Sequence, residues 1–161
     1  MMTSELPNTK EVRDLLNDLL GRDVEVQVSD AWAPQPLDMA ACAEFVDDHL
    51  HLRSVAMLDL PLAVFIGASI GLIPAGGAKD MVAERDPSQM VLDNLYEVLN
   101  VLTSVFNTAD NPHVKITTMH APGTAFPGDV LDVVRRLVGR LDLVVDIDGY
   151  GKGRLALIVA S

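Results

Sequence analysis

The chain begins with an amphipathic period. From Lys10 to Leu20 the apolar residues Val12, Leu15, Leu16 and Leu19 share one helical face, and Gly21 is placed to end the helix. Asp23-Val-Glu-Val-Gln-Val28 then alternates with the period of a half-buried strand. Ala33-Pro-Gln-Pro36 reads as a loop, Ala40 to Val46 fits a short helix or a strand, and His51 to Leu58 reads as a strand. Asp59 with Pro61 is a helix start, and the apolar run behind it reaches Ile73 before Pro74-Ala-Gly-Gly77 breaks it. A short helix to Glu84 follows, and Asp86-Pro87 reads as the cap of a long helix from Ser88 to Asn107. The order then starts again. His113 to Met119 alternates as a strand, Ala121-Pro-Gly123 is a loop, and Gly128 to Gly139 is a short helix with Val130, Val133, Val134 and Leu137 inward. Leu141 to Ile147 and Arg154 to Ala160 read as two strands joined at Asp148-Gly-Tyr-Gly-Lys-Gly153.

The long helix carries a narrow polar stripe. Asp93, Glu97, Asn100, Ser104 and Asn107 recur at steps of four and three, so they lie on one face. Met90, Val91, Leu92, Leu95, Val98, Leu99, Val101, Leu102, Val105 and Phe106 cover most of the rest. A helix this apolar is buried on most sides, and its polar stripe faces water or a partner. Glu97 and Asn100 are then presented side chains on a rigid platform, which suits a site. The plain reading is a solvated face. Glu5-Leu-Pro-Asn8 has the same Glu-x-x-Asn spacing with Pro7 inside it, which disfavours a mid-helix position.

Length and composition narrow the classes. The 161 residues fit one domain, 1–161, with enough apolar content for a core of Val, Leu, Ile, Ala and Met. A net charge of −11 argues against nucleic acid or an anionic membrane surface as partner. The single Cys42 excludes an internal disulfide and suits a reducing, cytoplasmic setting. Glu5 and Asn8 stand where a signal peptide needs an apolar run. Leu60 to Ala78 has no acidic or strongly basic residue before Lys79, but Pro61, Pro74 and glycines interrupt it. Its unbroken part, Leu62 to Ile73, has the length of a core helix rather than a membrane span. Gly67-x-x-x-Gly71 within it reads as close packing on a neighbouring helix.

Other chemistry-bearing groups read as structural. Asp47-Asp48-His49-Leu-His51 holds metal-capable residues but no remote partner, so a polar loop before a strand is the better reading. His113 and His120 lack a nucleophile context for a triad. Gly149-Tyr-Gly-Lys-Gly153 lacks the Walker spacing and precedes a strand where a phosphate loop needs a helix, so it reads as a hairpin turn. Trp32 beside Pro34 reads as a loop residue packed on the core.

Together these elements predict an α+β fold: an antiparallel sheet with packed helices, built from two similar helix–strand halves. Asp14-Leu-Leu-Asn17 in the first helix and Glu97-Val-Leu-Asn100 in the later one each precede a strand and a loop containing Ala and Pro. With Asn94-Leu-x-Glu97-Val-Leu-Asn100, the halves that open with a helix feeding a strand, and the closing hairpin, the chain resembles the CheC/CheX/FliY group of bacterial chemotaxis phosphatases. The likeness is to CheX-like single-domain members. The resemblance implies a phosphatase acting on the aspartyl phosphate of a CheY-like receiver domain. Asn100 would orient the attacking water and Glu97 would pair with the receiver's Lys. Mg²⁺ would sit on the receiver, and this chain would need no cofactor or metal of its own. Asp14 stands where a two-site member would carry a second Glu, so Asp14 and Asn17 are not assigned as a site. A non-catalytic receiver-binding adaptor and a homodimeric signalling scaffold are the alternative readings.

Overall fold

The computed structural model describes residues 6–108 and 110–160. Asn8 starts helix α1 (Thr9–Leu20) by accepting the Glu11 N–H, and Gly21 ends it in the left-handed conformation at φ 63°. Strand β1 (Val24–Val28) follows, then a loop with a short 3₁₀ turn at Pro36–Asp38. Ala41–Val46, ambiguous in sequence, is strand β2, and Leu52–Leu58 is β3. Asp59 caps α2 (Leu60–Ile70) through the Leu62 N–H, as its sequence predicts. Helices α3 (Ala75–Glu84) and α4 (Gln89–Leu102) complete this stretch. Strand β4 (Lys115–His120), helix α5 (Gly128–Val134) and the hairpin of β5 (Arg140–Ile147) and β6 (Gly151–Val159) close the chain.

All six strands form one antiparallel sheet in the order β1-β5-β6-β3-β2-β4. Exchanging β1 with β4, β2 with β5 and β3 with β6 reproduces this order read backwards. The two halves predicted from sequence are therefore real and interlocked. Each lends its first strand to the hairpin of the other: β1 pairs with β5, and β4 with β2.

Alternation along the strands supplies two cores. Ala43, Phe45, Leu58, Val145 and Leu157 face α1, α2 and α4, while Cys42, Val55, Met57, Ala156 and Ile158 face α5 and Trp32. Helix α2 is buried almost all round, from Leu60 to Ser69. It touches α4 closely enough that a Cβ on Gly67 would lie 2.2 Å from the Val91 carbonyl oxygen. The Gly67–Gly71 pair is thus a helix-packing device. Asn94 Nδ2 donates to the Gly67 carbonyl at 3.1 Å and fixes α4 in rotation.

Several boundaries differ from the sequence expectation. The α2 helix stops at Ile70, because the turn at Gly71 and Leu72 redirects the chain. Ser88, not Asp86-Pro87, caps α4 by accepting the Val91 N–H. The α4 helix ends at Leu102 and tightens into a 3₁₀ turn at Thr103–Val105, short of Asn107. The α5 helix ends at Val134, because the Arg140 guanidinium takes the carbonyls of Val134 and Arg136 and draws the chain away. Leu137, expected inward, is accordingly 83% exposed, whereas Val130, Val133 and Val134 are buried as expected. The closing turn is tighter than predicted, with β6 pairing from Gly151 onward.

Candidate functional site

Helix α4 buries Val91, Leu95, Val98, Leu99 and Leu102 against α2 and the sheet. Its opposite face presents Asp93, Glu97 and Asn100, all exposed, and Ser104 continues the line in the following turn. The sequence-predicted stripe is present in these four residues. Glu97 and Asn100 stand one turn apart, with Cβ atoms about 5–6 Å from each other by helical geometry. Among the described residues neither side chain makes a hydrogen bond or ion pair, and α4 itself carries no Lys or Arg. Asp93 accepts from Gln89 Nε2 at 2.8 Å. Met90 and Val101, expected within the buried face, are 50% and 42% exposed and flank the polar residues.

Asn107 does not belong to this stripe. Its amide spans the loop, donating to the Val114 carbonyl at 3.0 Å and accepting the Val114 N–H at 2.8 Å. The first half contains the same clamp: Asn17 Oδ1 accepts the Val24 N–H at 2.6 Å. Both contacts span seven residues and hand a helix over to the first strand of its half. Asn17, unlike Asn100, spends its amide oxygen on the backbone. The parallel between Asp14-x-x-Asn17 and Glu97-x-x-Asn100 read from sequence keeps the helical register, with Val12 and Leu16 buried as Leu95 and Leu99 are, but both first-half side chains are engaged. Asp14 is held by Lys10 at 2.6 Å and Arg13 at 3.4 Å, and the Lys10 ammonium pulls its carboxyl below the ordinary range.

The asparagines make the contrast plain. Asn8 caps α1, Asn17 and Asn107 clamp strands, Asn94 anchors α4 to α2, and Asn111 donates to the Phe106 carbonyl. Asn100 is the remaining one, and its amide projects into solvent without an intramolecular partner among the described residues. The other copy of the spacing ends at Asn8, a helix cap, and its Glu5 lies outside the described residues.

The remaining constellations are structural. Asp47 is buried and accepts the N–H groups of His49 and His51 and the Arg53 Nε–H. The His51 N–H, with Arg53 and the His49 N–H behind it, lowers its carboxyl to about 2. The segment is a carboxylate-centred turn, and among the described residues no group of three or more His, Cys, Asp or Glu is placed to hold a metal ion. His120 Nε2 lies 2.6 Å from Glu44 Oε2 across β4 and β2. Cys42 is fully buried, and burial pushes its thiol far above the ordinary range, which makes it a poor nucleophile. The β5–β6 turn is Asp148 to Tyr150, and Gly151 to Gly153 already pair in β6; Tyr150 donates to the Ile73 carbonyl and Arg22 lies over its ring. Trp32 is buried, and its indole N–H donates to Asp38. Sequence reasoning missed the cluster that holds this loop. Arg140 grips both oxygens of Asp142 at 2.7 and 2.8 Å and donates to the Trp32 carbonyl, while Asp142 accepts the Trp32 N–H. The only sequence signal was Arg140-Leu-Asp142, a spacing too common to single out. No helix among the described residues is long and apolar enough to cross a membrane.

No protein family and no curated protein matches the chain by sequence. Solved structures do match in fold. The FliM middle domain from H. pylori aligns at TM-score 0.55 and 11% identity, over 93% of this chain and 83% of that one. The FliG–FliM complex from H. pylori aligns at TM-score 0.51 and 11% identity, over 93% of this chain and 85% of that one. The CheX–CheY–BeF₃–Mg²⁺ complex from Borrelia burgdorferi aligns at TM-score 0.49 and 11% identity, over 91% of this chain and 90% of that one. These matches show the fold: α+β on one antiparallel sheet, as predicted, in the arrangement of the FliM middle domain.

Proposed function

We propose that this chain is a phosphatase for the aspartyl phosphate of a CheY-like receiver domain, with Glu97 and Asn100 of α4 as its working residues. The observation that carries the reading is the pairing, on one rigid, exposed helical turn, of an amide and a carboxylate that are unengaged among the described residues. The FliM-type fold and the Glu-x-x-Asn spacing support it.

The chemistry asks for positioning. Hydrolysis of an acyl phosphate forms one bond from water oxygen to phosphorus and breaks the bond from phosphorus to the aspartyl oxygen. The carboxylate leaves, inorganic phosphate forms, and the water's proton passes to solvent or phosphate. Most of the barrier is entropic and electrostatic. Asn100 accepts one hydrogen bond from the water through Oδ1 and donates through Nδ2, which fixes the water in line with the leaving oxygen. Glu97, one turn earlier, pairs with a cationic side chain of the receiver and sets the docked angle. The charge of the phosphoryl group is neutralised by Mg²⁺ held on the receiver, so α4 needs no metal ligands. A buried helix platform suits this work, because Leu95, Val98 and Leu99 leave α4 little freedom to tilt.

A second reading is an adaptor that binds a receiver, or another signalling protein, without turnover. The exposed Met90 and Val101 beside the polar stripe favour binding irrespective of hydrolysis. The FliM domain of the FliG–FliM complex is a fold neighbour solved together with a protein partner. Two variants separate the readings. Asn100→Ala abolishes turnover and leaves receiver affinity and thermal stability at the wild-type level. Glu97→Ala raises KM more than it lowers kcat. Turnover unchanged in Asn100→Ala sinks the mechanism, and wild-type affinity in Glu97→Ala sinks the docking role.

A further inference from the structure

Asn100 has two neighbours one turn before it on α4, Glu97 and Tyr96. At about 3.6 residues per turn they stand on opposite sides of its column, Glu97 about 60° one way and Tyr96 about 40° the other. The Cα–Cβ bonds of a helix tilt toward its N-terminus, so the Asn100 side chain leans over the turn that these two residues form. The two flanks differ in charge. Asp93 shares the Glu97 side, whereas Leu92, Tyr96 and Thr103 make the other flank of the helix neutral.

The chain has two tyrosines, and it uses them differently. Tyr150 is buried, donates to the Ile73 carbonyl and lies under the Arg22 guanidinium. Tyr96 is half-buried, and its hydroxyl makes no hydrogen bond among the described residues. The buried side-chain nitrogens and oxygens left unpaired there are Arg22 Nε, Ser54 Oγ and Arg136 Nε, so the Tyr96 hydroxyl reaches solvent. It is a neutral donor with a free O–H, one turn from the amide that would hold the attacking water.

We infer that the Tyr96 hydroxyl donates a hydrogen bond to a phosphoryl oxygen of the docked receiver. The inference rests on the reading of α4 as a phosphatase helix and adds to it the direction from which the substrate approaches. An anionic phosphoryl group is repelled by Glu97 and Asp93, so it reaches Asn100 over the neutral flank, while the receiver's cationic side chain lies on the Glu97 side. The phenol keeps its proton throughout. Its bond is strengthened by the charge of the acceptor and holds the phosphoryl group against the water that Asn100 orients.

Tyr96→Phe keeps the ring and removes the hydroxyl. With phosphorylated receiver domains from the same genome, kcat/KM is expected to fall about tenfold, because a hydrogen bond to a charged group is lost. Tm is expected to stay at the wild-type value, because no intramolecular bond is lost. Nitration by tetranitromethane, mapped by mass spectrometry, gives a second readout. In the free chain Tyr96 is expected to react while Tyr150 is spared, and saturating beryllofluoride-activated receiver is expected to protect Tyr96. Wild-type kcat/KM in Tyr96→Phe, or undiminished nitration of Tyr96 in the complex, overturns the inference and leaves the phosphatase reading standing. A fall in kcat/KM accompanied by a lowered Tm makes Tyr96 a structural residue and also overturns it. A wild type that hydrolyses no receiver overturns both.

Discussion

Replacing Gly67 by Ala tests how the platform under the site is built. A Cβ at this position would lie 2.2 Å from the Val91 carbonyl oxygen and 2.8 Å from Val91 Cγ1. The first of these contacts is to backbone and cannot be relieved by a rotamer change. Helices α2 and α4 must separate by roughly 1 Å to restore ordinary carbon–oxygen contact. That shift costs about 1–3 kcal/mol as overpacking and strains the Asn94–Gly67 hydrogen bond, worth about 1 kcal/mol. The alanine returns up to about 1 kcal/mol of helix propensity. The net loss is about 1–3 kcal/mol, a fall in Tm of roughly 3–10 °C for a chain of this size. Thermal unfolding followed by far-UV circular dichroism reads it. Gly76→Ala is the control, because a Cβ there meets nothing within 4 Å and the same propensity gain should raise Tm slightly. A Gly67→Ala variant as stable as the wild type would refute the account of α2–α4 packing, and with it the claim that α4 is rigidly seated.

Three further outcomes follow from the same geometry. Asp142→Ala leaves the buried Arg140 guanidinium without its carboxylate and is expected to cost about 3–5 kcal/mol, read as a lower urea midpoint; a change under about 1 kcal/mol would contradict the buried-pair account. The Asp47 carboxyl falls from an ordinary 3.8 to about 2 in the folded chain, so its contribution is full above the ordinary value and is lost as pH falls through about 2. Asp47→Asn is therefore expected to flatten the part of the stability profile between those two pH values, and a profile parallel to wild type would count against the turn. Because Asp14 is held by Lys10 and Arg13 and Asn17 by the Val24 N–H, the chain should bind a single receiver, which calorimetric titration checks; two equivalent sites would show that the first half carries a docking face after all.

Much of the fold was legible because the local signals agreed with the tertiary ones. Asn8, Gly21 and Asp59 mark helix ends by chemistry that acts within a few residues, and the alternation of Val24, Glu25 and Val26 fixes a half-buried strand. The exposed line of Asp93, Glu97 and Asn100 followed from period alone. What stayed hidden depends on contacts distant in sequence. Leu137 looks inward by period, and only the capture of the Val134 and Arg136 carbonyls by Arg140 ends α5 before it. Asn107 fits the polar stripe by spacing, and only its bond to Val114 removes it from the helix. Asp14-x-x-Asn17 imitates Glu97-x-x-Asn100 in composition, and only a tertiary contact shows that its amide serves the backbone of β1. Met90 and Val101 lie on apolar positions of α4, but the α2 helix and the sheet do not extend far enough around it to cover them.

The central claim is that Asn100 on α4 drives hydrolysis of a receiver's aspartyl phosphate. The most direct measurement is the decay rate of phosphorylated receiver domains from the same genome, with no addition, with the wild-type chain, and with Asn100→Ala. The account predicts faster decay of at least one receiver with the wild type and the uncatalysed rate with the variant. Decay at the uncatalysed rate for every receiver, or equal acceleration by wild type and Asn100→Ala, would contradict it.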